Sequence, residues 1–338
     1  MKIPQPVQLP SGAWSVRIML DGKRHCITRA TEKEALAEAV ALKTGQKALR
    51  NTSPRDKTLA QAIDEYIDAR RNILSPSTIR GYIIIRDNRF QSVMSKRIGS
   101  ISPSQWQSIV NSEARKVSPK TLKNSWGFVS SVIREATGEI VNVRLPQVVP
   151  NEREFLDPEQ IGVLIRAVKG KRLEIAVLLA LSSLRQSEIL ALRWDDIDLK
   201  NRVLYVNGAT VPDEDGKMVR KDTTKNSSSR RAVPIIQPLY EALNEKVKRT
   251  GAVIDLSTSG MYKGINRLCE ENGLPAVGVH GLRHSFASLA YHLQIPEKIA
   301  MQIGGWANTQ TMHRIYTHVG QKEISKQANK FTSFFDSL

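Results

Sequence analysis

Cysteine is almost missing from this chain of 338 residues, which holds only Cys26 and Cys269. Two thiols so far apart make neither a disulfide framework nor a thiolate metal site, and both read as buried or incidental. No apolar run approaches the roughly 20 residues of a transmembrane helix. The opening Met1-Lys-Ile-Pro-Gln-Pro also lacks the apolar stretch of a signal peptide, so the expectation is a soluble, intracellular protein. No glycine-rich Walker loop occurs, which removes the usual signature of ATP use. Acidic residues are in deficit as well, 33 against 50 lysines and arginines, leaving a net charge of +17. That excess makes polyanions the first partner class, because a cationic surface binds a phosphate backbone by releasing its counterions. An anionic membrane surface is the competing reading.

The length suits two or three domains. Residues 1–50 read as a small β-hairpin and helix module: Trp14–Leu20 and His25–Thr28 flank Asp21-Gly22, a two-residue hairpin signal, and 31–43 is an alanine- and leucine-rich helix. A ribbon carrying Arg17, Lys23, Arg24 and Arg29 could enter a DNA groove, or form the solvated basic face of a folding module. Residues 57–138 read as an all-helical block, with helices around 59–67, 77–90, 103–113 and 119–136. Three helix starts carry Ser-Pro, at Ser75-Pro76, Ser102-Pro103 and Ser118-Pro119, where serine caps free amides and proline needs no donor. Arg80, Arg86, Arg89, Lys120 and Lys123 are its candidates for phosphate contacts, each with an exposed helix face as the bland alternative. Residues 139–154, with Pro146 and Pro150 and no helical period, read as a linker.

Residues 155–338 form the last domain. Asp157-Pro158-Glu159-Gln160 is a capping box with an N1 proline, and the stretch 173–183 is apolar nearly all round, hence central to a core. Arg185 follows it directly. A guanidinium at the mouth of so apolar a helix needs a partner, either Glu188 or an anionic ligand. Residues 202–207, 218–221 and 230–235 read as one short antiparallel sheet, with Lys225 between the last two. From 238 onward the pattern is helical, at 238–249, 259–271, 281–293, 297–303 and 309–315.

The densest chemistry lies in His280-Gly-Leu-Arg283-His284, Trp306 and Tyr316. Attack on a phosphodiester needs a positioned nucleophile, cations on the nonbridging oxygens and an acid for the leaving oxygen. Arg185 and Arg283 can each present a planar fork to phosphate oxygens. Lys225 could protonate the 5′ oxygen, with Lys217 and Lys221 on the same hairpin as alternatives, and His280 could take or relay a proton. The Trp306 indole donates a hydrogen bond but accepts none. Tyr316 is the nucleophile, its phenol (~10 in model peptides) needing nearby cations, and a phosphotyrosine conserves bond energy for rejoining without ATP. His280 and His284, at i and i+4, could instead bind zinc, but no acidic or cysteine residue completes a familiar spacing. Taken singly, Trp306 reads as a core aromatic and Tyr316 as a helix-end tyrosine.

Four boxes in order resemble the tyrosine recombinase family, its phage and conjugative-element integrases in particular. They are Leu181-Ser-Ser-Leu-Arg185-Gln-Ser-Glu188, Thr224-Lys225-Asn-Ser-Ser-Ser-Arg-Arg-Ala-Val-Pro, His280-Gly-Leu-Arg283-His284, and Ile303-Gly-Gly-Trp306 through Met312-His-Arg-Ile-Tyr316-Thr-His. The motifs span about 155–320. Trp306 stands where the family usually has a third histidine, which removes acid–base capacity there, and an extra glycine precedes it.

The resemblance implies a mainly α fold with small β elements: an arm-type DNA-binding module, a helical core-binding domain and an α+β catalytic domain with a C-terminal tail. It implies a site-specific recombinase working without cofactor or metal on double-stranded attachment sites, as a homotetramer on two DNA sites. Cleavage would leave a 3′-phosphotyrosine and a free 5′-hydroxyl. The catalytic set would be Arg185, Lys225, His280, Arg283, Trp306 and Tyr316, with Glu188 and His284 in support. Glu188 would orient Arg185 or the histidines, and the aromatic tail around Phe331, Phe334 and Phe335 would dock on a neighbouring protomer or on its own core. Integration and excision of a mobile element in a bacterial cytoplasm, with an accessory DNA-bending or excision factor, complete the expectation. The alternatives are a DNA-binding regulator on the same scaffold, a type IB topoisomerase, and a metal-dependent nuclease if the two histidines bind metal.

Overall fold

The computed structural model describes residues 4–20, 23–43, 56–149, 154–221, 230–247, 249–310, 312–313 and 332–335. At the N-terminus, β1 (Val7–Gln8), β2 (Trp14–Leu20) and β3 (Lys23–Arg29) pair antiparallel in that order. The two-residue period of β2 turns Val16 and Ile18 inward, where they pack with Ile27 and with Ala39 of α1 (Glu32–Lys43). Arg17, opposite Cys26 in the register, is on the exposed face, and Arg24 is exposed too. Cys26 is itself exposed, whereas Cys269 is buried.

The chain divides into two compact units, residues 1–69 with 85–147, and residues 70–84 with 148–338. In the first, α2 (Leu59–Asp68) opens with a Thr58 capping box, α4 (Pro103–Ala114) with a Ser102 capping box, and α5 (Pro119–Thr137) with a Ser118 cap. Between α2 and α4 runs α3 (Pro76–Asn88), whose residues belong partly to each unit. Each serine or threonine cap satisfies an amide that the first helical turn leaves without a partner. The core centres on Trp126, whose ring lies 6.1 Å from Phe90 and 5.7 Å from Trp106. Gly138, at φ 74°, ends α5 in the left-handed conformation that glycine adopts without strain. The stretch after it is extended but pinned to α4. The Gln107 carboxamide accepts from the Arg144 amide at 2.7 Å and donates to the Arg144 carbonyl at 3.1 Å.

The second unit is built around α7 (Glu174–Leu181), in which every residue from Ile175 to Leu181 is buried. Packed around it are α6 (Pro158–Val168), α8 (Gln186–Ala191), α9 (Gln237–Asn244) and α11 (Val279–His292), with α10 (Thr258–Glu271) against α6 and α11, and α12 (Glu297–Gly304) against α11. Two small sheets replace the single sheet expected from the sequence. One has the order β4 (Ile197–Asp198), β5 (Val203–Val206), β8 (Arg231–Pro234); the other pairs β6 (Ala209–Pro212) with β7 (Met218–Lys221). β6 is not evident from the sequence because four residues that follow a glycine and end in a proline look like a loop. Gly208 is required there: a Cβ would sit 2.7 Å from the Lys221 carbonyl oxygen.

Candidate active site

The site begins where α7 stops. Ser183 takes a left-handed φ of 71° and is fully buried, a conformation costing roughly 1–2 kcal/mol for a residue with a Cβ. The turn points the Ser183 carbonyl at two guanidiniums: Arg283 Nη1 donates to it, and so does Arg231 Nη2 at 3.2 Å. Two residues on, Arg185 is the N-cap of α8, and Glu188 folds back on it from the third helical position. Glu188 Oε2 accepts from the Arg185 amide at 2.8 Å, and Glu188 Oε1 accepts from Arg185 Nη1 at 2.6 Å. The other end of the Arg185 fork, Nη2, donates to the Gly305 carbonyl at 2.6 Å.

Arg231 is the member of this cluster that sequence reasoning did not single out. It stands in the hairpin box already quoted, and a signal was there. Strand alternation puts it on the same face as Val233, which is buried, so an arginine faces inward. Its side chain is 4% exposed. Nε donates to the Ile303 carbonyl at 2.7 Å, and Nη1 and Nη2 donate to the Glu188 carboxylate at 3.2 and 2.9 Å.

Arg283 lies on α11, 2% exposed, with its guanidinium carbon 4.6 Å from the centroid of the Trp306 ring. The contact Trp306 makes here is therefore a ring face on a cation, which complements the donor role read from the sequence. The glycines before it are steric necessities. A Cβ on Gly304 would be 2.1 Å from the Trp306 ring, and Gly305 ends α12 at φ 62° with Arg231 Cδ 3.0 Å from where its Cβ would be. His280 is exposed in the first turn of α11 and His284 is buried one turn below, the rings 5.0 Å apart and edge to face. Among the described residues no group of three or more His, Cys, Asp or Glu is placed to hold a metal ion. Lys225 and Tyr316 lie outside the described residues, while Lys217 is exposed and Lys221 ends β7.

Electrostatics follow from the geometry. Burial pushes the Glu188 carboxyl up, but Arg231, and after it Arg185, outweigh burial and hold it below the ordinary carboxylate range. Burial first, and then the Arg185 cation, push the Arg283 guanidinium down to about 9. Among the described residues, three guanidiniums around one carboxylate make this cluster cationic at neutral pH, suited to an anion with several oxygens. The depressed Glu188 pKa has a consequence for stability. A carboxyl with a folded pKa below its unfolded value of ~4.3 stabilises the protein above that value, and the contribution is lost as pH falls through the folded pKa. The stability gap between wild type and Glu188→Gln is therefore expected to be largest near neutrality and to shrink as pH falls below about 4.3, read by urea unfolding. A gap independent of pH would contradict this arrangement.

Residues 154–323 match the model of the Phage integrase family. The chain belongs to that family. As such it is a tyrosine-type site-specific recombinase, an enzyme that breaks and rejoins DNA strands. The recombinase is 24% identical, over 90% of both chains, to the XerC-like tyrosine recombinase of Caldanaerobacter subterraneus subsp. tengcongensis. Its fold resembles that of the Tn1549 transposon integrase, solved in complex with transposon right-end DNA, at a TM-score of 0.62 and 19% identity over 80% of this chain and 100% of that one. It also resembles lambda integrase, solved as a tetramer bound to a Holliday junction, at a TM-score of 0.56 and 18% identity over 90% of this chain and 96% of that one.

The basic residues singled out on the other modules fare differently. In the recombinase Arg17, Arg24, Lys120 and Lys123 are exposed, and the side chain of Lys23 lies outside the described residues. Arg86 is engaged by Asp64 through two bonds of 3.0 and 3.1 Å, which raise its pKa, and Arg80 Nη1 donates to the Glu214 carbonyl at 3.4 Å. No helix among the described residues is long and apolar enough to cross a membrane.

Proposed function

We propose that the cationic pocket holds the scissile phosphate of a double-stranded attachment site. Arg185 and Arg283 contact its nonbridging oxygens, and Glu188 holds Arg185 in place. Tyr316 Oη attacks phosphorus, its proton passing to His280, and the bond from phosphorus to O5′ breaks as Lys225 protonates O5′. The products are a 3′-phosphotyrosine and a free 5′-hydroxyl. Attack of a partner strand's 5′-hydroxyl on the phosphotyrosine reverses the chemistry and rejoins DNA. Trp306 packs over Arg283 and His284 backs His280.

On this reading residues 1–50 bind arm sites, 57–138 bind the core site, 139–154 link, and 155–338 catalyse, with a C-terminal tail. Four copies act on two sites to integrate and excise a mobile element in a bacterial cytoplasm, assisted by a DNA-bending or excision factor. Arg17, Lys23, Arg24, Arg80, Arg86, Lys120 and Lys123 contribute DNA contacts, Arg80 and Arg86 by exchanging their present partners for phosphates. The observation that carries the reading is the cluster of three guanidiniums, Arg185, Arg231 and Arg283, around the one carboxylate of Glu188.

The test is covalent capture. The full chain is incubated in EDTA with a pool of nicked duplexes carrying randomised sequence, and DNA that stays attached to denatured protein is recovered and sequenced. A recurring core sequence joined through its 3′-phosphate is expected; a requirement for Mg²⁺ would sink the mechanism. Noncovalent binding to the recovered duplex is expected to weaken on the order of 10³-fold or more between about 50 and 200 mM salt, as six or more phosphate contacts demand. A shallow dependence would mean that the basic faces are solvated surface.

A further inference from the structure

We infer that Arg231 is a positioning residue of the recombination reaction, locking the turn after α7, the Glu188–Arg185 pair and the end of α12 into one geometry. The inference rests on the reading of the pocket as the phosphate site. Every guanidinium nitrogen of Arg231 already donates to a protein oxygen, Nε to Ile303, Nη1 to Glu188 and Nη2 to Ser183 and Glu188, so Arg231 acts through its neighbours. Those neighbours come from three separate stretches: the Ser183 carbonyl, the Glu188 carboxylate and the Ile303 carbonyl.

The distribution of bonds explains what each does for the substrate. Glu188 must hold Arg185 by a single charge-assisted contact to its side chain, while the rest of the Arg185 fork grips Gly305. Among the described residues Glu188 is otherwise held only by Arg185 itself, through its amide and Nη1, and the Arg185 side chain is half-buried whereas Glu188 is nearly enclosed. Arg231 binds both carboxylate oxygens and so fixes the plane in which Oε1 meets Arg185. The same side chain lies against Gly305 and bonds Ile303, so the turn that presents Trp306 to Arg283 is held by Arg231 as well as by Arg185. By sharing the Ser183 carbonyl with Arg283, it also sets the spacing of the second phosphate clamp. A lysine would keep one charge but could not bridge three acceptors in fixed directions.

The experiment compares wild type, Arg231→Lys and Arg231→Met on the duplex recovered by covalent capture. Cleavage is followed under single-turnover conditions, and binding is measured separately with each change placed on a Tyr316→Phe background. Cleavage by Arg231→Met is expected to fall about 100-fold and by Arg231→Lys about 10-fold, the scale of a misplaced clamp, with DNA affinity within about threefold of wild type. Combining Arg231→Met with Glu188→Gln is expected to add little, because both disable one unit. If Arg231→Met does not fold, the lysine variant decides. Cleavage by Arg231→Lys at the wild-type rate, or a loss that only mirrors weaker DNA binding, overturns the inference. A wild-type protein that forms no adduct overturns the pocket reading, and the inference with it, so the two failures are told apart.

Discussion

Tyr316→Phe is expected to abolish the covalent adduct while leaving noncovalent affinity for the same duplex unchanged. On the proposed mechanism the phenolic oxygen is the bond-forming atom, so its removal leaves no slower version of the same path. Losses from removing a cation or a proton carrier are graded, on the order of 10²–10⁴-fold. The loss of a nucleophile is complete at the level of the intermediate. Affinity is carried by phosphate contacts spread over the basic modules, to which one hydroxyl adds little. Denaturing gels of protein on end-labelled nicked duplex read the first quantity, and titration of labelled duplex reads the second. An adduct that persists in the phenylalanine variant would mean another residue attacks.

Arg283→Lys is the second large effect, expected to slow cleavage about 10²–10⁴-fold and to make what remains depend on pH. The guanidinium is 2% exposed, lies over the Trp306 ring, bonds the Ser183 carbonyl and is pushed down to about 9 by burial and by Arg185. An ammonium offers no flat face to the ring and no fork to the phosphate. Starting from ~10.4 and subject to the same burial and the same neighbouring cations, it would titrate close to neutrality. Its charged form is then favoured at lower pH. Residual cleavage by the variant is expected to rise as pH falls from about 8 to about 6, relative to wild type measured in parallel, which cancels the titration of every shared group. A constant ratio across that range would show that residue 283 does not experience the burial and charge described here.

Much of the fold was legible because local rules decided it. The serine caps ahead of α4 and α5, the capping box ahead of α6 and the uninterrupted apolar run of α7 are all statements about neighbouring residues. The sheet was less legible. Pairing partners are set by tertiary contact, and local pattern does not reveal that β7 pairs with β6 and not with the strands of the other sheet. The expectation for Arg185, that it pairs with Glu188 or waits for an anion, was half of what is found: it pairs with Glu188 and also reaches Gly305, 120 residues along the chain.

By itself the sequence determined the chemical inventory: two arginines with planar forks, an imidazole, a phenol and an excess of positive charge, because residue type and order carry that information directly. Only the tertiary structure decided how those groups are held. That Ser183 turns its carbonyl between Arg231 and Arg283, that Arg231 and not a histidine shares Glu188 with Arg185, and that Trp306 lies on Arg283 all depend on contacts between segments 23 to 120 residues apart. No period of 2 or 3.6 residues encodes such contacts. The reason they form is the cost of burying a guanidinium alone, which selects the one packing in which each buried cation meets an oxygen or a ring.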